Sequence, residues 1–313
     1  MVRRQSLATL LVVFLLAACA TPSGSANPAP SSTPTATVPS PSASVPLSTP
    51  SPTVAPPSPS PTPAETMIVG AYFFLDDAAG GDPALVPVLR TVPKTKATAR
   101  AAMTVLLAGP SDKERAARPR FGTIIPAGTE LLGIQISDGV ATVDLSGEFA
   151  SGGGSFSVLG RLAQVVYTMT QFSSVDRVRF ELDGEPVTVF SSEGIILDNP
   201  VSRATYHDEF LPAIFVDRPA WGAELLNPGR VTGLANVFEA QFRIALLDRD
   251  ERVLVDRPVL ATCGTGCWGS FDVTLEYGVP AAQWGTLRVW DPSERDGRPE
   301  NVREYPVYLR PTP

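Results

Sequence analysis

The sequence predicts an α+β two-layer sandwich followed by an all-β sandwich, with a disordered stalk in front of both. Three observations carry this expectation. Between residues 66 and 208, alternating strand patterns are interleaved with two stretches of helical period. Beyond Ala213, short strand-like runs follow one another with turn signals between them and no helical period. Residues 20–65 are a low-complexity run of Pro, Ser, Thr and Ala, which cannot bury enough apolar surface to offset its ordering entropy.

The chain starts with Met-Val-Arg-Arg, and Leu7 to Ala18 is almost wholly apolar. A basic start and a short apolar run read as a signal peptide over residues 1–18. The run is too short for a membrane span, which needs about 20 residues. It ends in Leu16-Ala17-Ala18-Cys19, which matches the lipobox of bacterial lipoproteins. Cys19 is therefore the expected lipidation residue, its thiol taking a diacylglycerol group, with palmitate among the acyl chains. This reading places the protein on the extracytoplasmic face of a cell membrane. Residues 19–65 then form the linker. The many prolines favour extended conformers of ~3.1 Å per residue, a reach on the order of 100 Å.

The net charge is −7, and loss of Arg3 and Arg4 with the leader leaves 23 basic residues against 32 acidic. No basic stripe is present, which argues against nucleic-acid binding. Cys263 and Cys267 lie in Cys-Gly-Thr-Gly-Cys. Outside the cytosol a disulfide is the favoured reading, with free thiols as the alternative. A metal pair would need two further soft ligands, and none is adjacent.

Each element of the first module has a local reason. Ile68–Leu75 and Leu85–Val92 read as strands. Thr95 is a candidate cap for a helix running to Leu107, with Ala99, Ala102, Met103 and Leu106 on one face and Gly109-Pro110 as the stop. Leu131–Ser137 and Val140–Leu145 flank Asp138-Gly139, a type I′ hairpin signal. Phe156–Phe172 carries Val158, Leu162, Val165, Met169 and Phe172 as an apolar stripe. Val178, Phe180 and Leu182 alternate with polar residues, and Asp183-Gly184 turns the chain back onto Val187 and Val189. Two helices on one face of a sheet is the expected outcome. From Ala213, seven strand-like runs suggest an immunoglobulin-like sandwich.

These motifs carry a resemblance. Leu85-Val86-Pro87-Val88-Leu89-Arg90, Leu106-Leu107-Ala108-Gly109-Pro110, Ile125-Pro126-Ala127-Gly128-Thr129, Asp138 to Ser146 and Arg161 to Thr168 occur in the order found in the sporulation and germination domain GerMN. Residues 66–208 resemble that domain. Pro219 with Gly222, Val231 to Ala240, and the Cys263–Cys267 pair followed by Gly269-Ser270-Phe271 resemble Gmad2, the immunoglobulin-like domain of spore germination proteins, over residues 213–313. The resemblance implies an envelope lipoprotein with a role in sporulation, germination or envelope signalling. It implies no catalytic residues and no cofactor. Its similarity to ring-building motifs of secretion machines implies assembly with an envelope protein or with itself.

Candidate chemistry is sparse. Gly152-Gly153-Gly154-Ser155 precedes the second helix and is a possible ligand or interaction turn, because backbone N–H groups at a helix start bind anions; it lacks the Lys-Ser/Thr of a P-loop. The plainer reading is a flexible helix entry with Ser155 as cap. Asp248, Asp250 and Glu251 lack the Gly and distal Glu of a calcium loop and read as a hairpin turn. Asp144, Glu148 and Glu181 read as solvated carboxylates. His207 has no nucleophile at a known spacing and reads as a linker residue. Trp221, Trp268, Trp284 and Trp290 are packing residues or a binding patch. The expectation is a non-enzymatic protein-interaction module, with a binder of peptidoglycan, another cell-wall glycan or a small ligand as the alternative.

Overall fold

The computed structural model describes residues 65–76 and 83–311. Cys19, the leader and most of the linker lie outside them. The observed class is α+β followed by an all-β sandwich.

The first module opens with β1 (Thr66–Leu75) and β2 (Ala84–Pro93), antiparallel along their full length from Thr66 opposite Pro93 to Leu75 opposite Ala84. The Ala- and Leu-rich α1 (Thr98–Ala108) follows, with Ala102, Met103 and Leu106 fully buried; such residues lose little entropy in a helix. Thr95 does not cap it. Its Oγ1 accepts the Ala97 N–H at 3.1 Å, a local turn that delays the helix to Thr98. Gly109, at φ +74°, ends it by returning its N–H to Leu106 O.

A short α2 (Asp112–Ala116) then forms on a reciprocal Ser111–Glu114 capping box. After β3 (Phe121–Gly122), the hairpin β4 (Leu131–Ser137) and β5 (Val140–Leu145) turns at Asp138-Gly139 with both φ values positive, as type I′ requires. α3 (Ser155–Met169) leads to β6 (Arg177–Leu182), which pairs parallel to β5. β7 (Glu185–Pro186), β8 (Val189–Phe190) and β9 (Ile195–Ile196) are two-residue strands, so the Asp183-Gly184 hairpin is shorter than its alternating pattern suggests. A 3₁₀ turn at Arg203–Tyr206 and α4 (His207–Phe210) complete the module. Its strands divide chiefly between two sheets, β2-β1-β3 and β4-β5-β6-β7, with a separate β8-β9 pair, rather than forming one sheet.

The reason lies in α3. Its apolar side holds Val158, Leu162, Val165 and Met169 in the core. Gln164 and Thr168, polar residues of the same helix, are also fully buried. With Gln171 they close the free edge of β1. Gln164 Nε2 donates to Tyr72 O at 2.9 Å, and its Oε1 accepts the Ile124 N–H at 3.1 Å. Thr168 Oγ1 accepts the Tyr72 N–H at 3.2 Å. Gln171 accepts from Gly70 N and donates to Gly70 O. Side chains of a helix thus stand where a neighbouring strand would be, and satisfy backbone groups that burial would otherwise leave unpaired.

The second module has eight strands: β10 (Ile214–Arg218), β11 (Glu224–Leu225), β12 (Gly229–Ala235), β13 (Gln241–Leu247), β14 (Val253–Leu260), β15 (Gly269–Leu275), β16 (Gln283–Pro292) and β17 (Pro299–Leu309). They form a three-stranded sheet, β10-β12-β15, and a five-stranded sheet, β11-β17-β16-β13-β14. Phe242, Ile244, Leu287, Val289 and Val307 alternate inward. The ring of Phe242 meets that of Phe271 edge-on at 4.9 Å. No described helix is long and apolar enough to cross a membrane.

Candidate functional site

The most elaborate polar arrangement of the described residues lies where the two modules meet. Arg203, on the 3₁₀ turn of the first module, inserts its guanidinium beside the rings of Tyr72 and Tyr167, 5.1 and 4.7 Å from their centroids. Its Nη1 donates to Asp217 Oδ2 at 3.2 Å, its Nη2 to Tyr72 Oη at 3.0 Å and Tyr167 O at 3.1 Å, and its Nε to Thr170 Oγ1 at 2.8 Å. Tyr72 Oη in turn donates to Asp217 Oδ1. Asp217 belongs to β10, so this cluster ties β1 and α3 to the second module.

Burial first, and the Asp217 carboxylate second, hold the Tyr72 hydroxyl well above the usual tyrosine range. Burial works against the Arg203 charge, and the Tyr72 and Asp217 oxygens outweigh it, so the guanidinium stays charged. Burial, then Arg203, lowers the pKa of His207, whose Nε2 has no hydrogen-bond partner.

The tryptophans separate into two roles. The Trp221 N–H donates to Pro87 O at 2.9 Å, and its ring packs edge-on to Phe121 and Tyr305. Trp268 Nε1 donates to Asp208 Oδ1 at 2.7 Å and its ring meets His207 at 5.4 Å. Both fasten the modules, and His207 is a packed part of that joint rather than a linker residue. Trp290 lies under Arg243. Trp284 is 54% exposed beside Tyr308, over which Arg310 is stacked. A cleft of about 1150 Å³ runs along the joint, between Thr170, Ser202 and Arg203 on one side and Arg230, Thr232 and Asp272 on the other.

The Gly152–Ser155 turn wraps an arginine. Arg161, 2% exposed, directs all five N–H groups to protein acceptors: the carbonyls of Phe149, Ser151, Gly152 and Ser157, and Ser157 Oγ. Gly153 sits at φ +84°, and a Cβ there would lie 2.8 Å from Arg161 Nη2. Gly153 is thus explained by its positive φ and by the close approach of Ser157 and Arg161, and Gly152 by a positive φ of +56°; a Cβ at Gly152 or Gly154 would meet nothing. Ser155 is the first helical residue and not the cap, which is Gly154; its hydroxyl bonds Glu193.

Cys263 and Cys267 are bonded, with Cα atoms 5.8 Å apart. Asp248 accepts from Asp250 N, Arg252 N and Arg252 Nε, which makes it the organiser of its hairpin turn. Asp144 accepts the Gly184 N–H and stands beside Glu181 in the β5–β6 register. Hydrogen bonds from Ser146 and its own backbone lower the pKa of Glu148. Among the described residues no group of three His, Cys, Asp or Glu is placed to hold a metal ion.

Residues 71–188 match the model of the Germane family, described as sporulation and spore germination. Residues 213–298 match Gmad2, the immunoglobulin-like domain of bacterial spore germination. No curated protein matches the chain. Among solved structures, the first GerMN domain of the sporulation protein GerM from Bacillus subtilis is 25% identical, covering 44% of this chain and 98% of that one, with a TM-score of 0.33. The tandem GerMN domains of the same protein are 19% identical, covering 78% of this chain and 61% of that one, with a TM-score of 0.38.

Proposed function

Because the chain belongs to the proteins that join a GerMN domain to a Gmad2 domain, we propose that it is a membrane-anchored envelope lipoprotein that acts by contact rather than catalysis. Lipid on Cys19 fixes one end, the Pro-rich linker sets the reach, and the two joined modules are presented outward on the extracytoplasmic side to an envelope protein or to further copies of themselves. The setting is sporulation, germination or envelope signalling. The observation that supports this most is how the reactive-looking groups are used. Arg161 is enclosed by carbonyls, Arg203 is held by Asp217 and two tyrosines, and Asp248 is occupied by its own turn. Crosslinking in intact cells followed by mass spectrometry tests the proposal. A retained complex is expected, and a persistently monomeric protein that captures nothing would overturn it.

A second reading, binding of peptidoglycan or another wall glycan, draws on one observation. Exposed Trp284, with Tyr308 and the stacked Arg310, offers a planar ring beside a charged fork. Pull-down on purified peptidoglycan separates the two readings. Retention that depends on Trp284 would favour the glycan.

A further inference from the structure

Exposed strand edges invite pairing with other chains, and proteins close them with charge, proline, bulges or cover. Most edges among the described residues are closed in such ways. β1 is capped by α3. β2 carries Pro87 and Pro93 and is bridged by Trp221. β10 has a bulge and Arg218-Pro219 at its end. β14 holds Asp256, Arg257 and Pro258, and β15 holds Asp272 in an ion pair with Arg230. β3, β7 and β11 are two residues long.

β4 differs. It is the edge of its four-stranded sheet, pairing with β5 alone. Its sequence, Leu131-Leu132-Gly133-Ile134-Gln135-Ile136-Ser137, has no charge and no proline. Its one irregularity, near Leu132, leaves five regular residues beyond it. Ile134 and Ile136 face the same way as the buried Val143 and Ala141 opposite them, yet Ile136 is 42% exposed and Leu132 45%. The apolar side of the sheet therefore runs out to an uncovered margin.

We propose that β4 is the contact edge, and that its occupant is β4 of a second copy, antiparallel about Gln135. This deepens the assembly reading above and rests on it. In this register Gln135 faces Gln135, Ile134 faces Ile136, and Gly133 faces Ser137. Four isoleucines meet on one side, and same-side apolar pairs are the stabilising unit of such a junction. Asp138 lies across from Leu132, and Glu130 falls beyond the hairpin turn, so no carboxylate meets another. Centring on Ile134 would instead oppose Glu130 to Asp138 at both ends. The two-fold contact joins two four-stranded sheets into one continuous sheet and is closed, as an isologous dimer is.

The test uses the full chain carrying Cys19→Ser, so that with Cys263 and Cys267 bonded a single introduced thiol is free. Under mild oxidation Gln135→Cys is expected to give a covalent dimer. Ser137→Cys is not, because its mate would lie four residues along the strand, roughly 13 Å away. Light scattering should show a dimer for the parent chain, weakened at least about tenfold by Ile136→Lys, with circular dichroism confirming the fold. A monomeric parent chain, or equal crosslinking at both positions, would overturn the β4 proposal. In-cell capture of a different protein alongside that result would leave the wider assembly reading standing.

Discussion

Arg203 Nη1 lies 3.2 Å from Asp217 Oδ2, and the two residues belong to different modules. Around this pair Tyr72 supplies a hydroxyl to both partners and a ring to the guanidinium. The joint is therefore built from strand, turn and strand, each contributing one group that the others satisfy.

Asp217→Asn tests the joint. It removes the charge that Arg203 and Tyr72 share, and hydrogen bonds to charged groups contribute about 1.5–3 kcal/mol. Both side chains are about a quarter exposed, which argues for the lower end, about 2 kcal/mol. Urea unfolding followed by tryptophan fluorescence measures it. A change under about 0.5 kcal/mol would show that the pair is incidental.

Arg161→Met removes five hydrogen bonds and leaves the carbonyl of the buried Phe149 without its donor. A loss of about 3 kcal/mol or more is expected. Gly153→Ala should cost less, about 1–3 kcal/mol, from the positive φ and the contact with Arg161. The order of the two midpoints is the check.

Thr168→Val removes the acceptor for the Tyr72 N–H with little change of shape. Amide hydrogen exchange at Tyr72 should accelerate while amides in β5 and β6 keep their protection. Unchanged exchange at Tyr72 would refute the role given to α3 at that edge.

Alkaline pH should unfold the protein. Burial pushes Tyr305 up to about 12, and raises Tyr72, Tyr167 and Tyr206 further. The neutral form is favoured in the fold, so this stability is complete below about pH 10, the ordinary tyrosine value, and is lost above it. Each such tyrosine adds a slope of about 1.4 kcal/mol per pH unit between the two values. Tyrosinate absorbance and loss of fold should rise together.

Cys19→Ser should move the protein from the membrane fraction to the soluble one. Retention in membranes would remove the anchor from the proposal.

Parts of this structure were readable because their causes are local. Asp138-Gly139 and Asp183-Gly184 gave their hairpins away since few residues accept positive φ twice in succession. The apolar stripe of α3 was visible at helical spacing. The burial of its polar Gln164 and Thr168 was not visible, because it depends on a strand edge contributed by a segment more than 90 residues earlier. Thr95 looked like a cap, but a hydrogen bond two residues on was the stronger local option. The joint was silent for a different reason. Tyr72, Arg203 and Asp217 lie on separate segments, Tyr72 more than 130 residues from either partner, so no spacing announces them.

The register of β1 also has a mechanical meaning. Its first residue, Thr66, is where a tether would enter the folded body, and ten Cα pairs follow along β2. A pull directed along the strand from that end would load the ladder in shear, its bonds sharing the force instead of opening one after another like a zip. The Gln164, Thr168 and Gln171 contacts load in parallel on the opposite edge. Survival under such a pull is governed by the unfolding rate, and the β1 ladder is the first paired structure the pull meets.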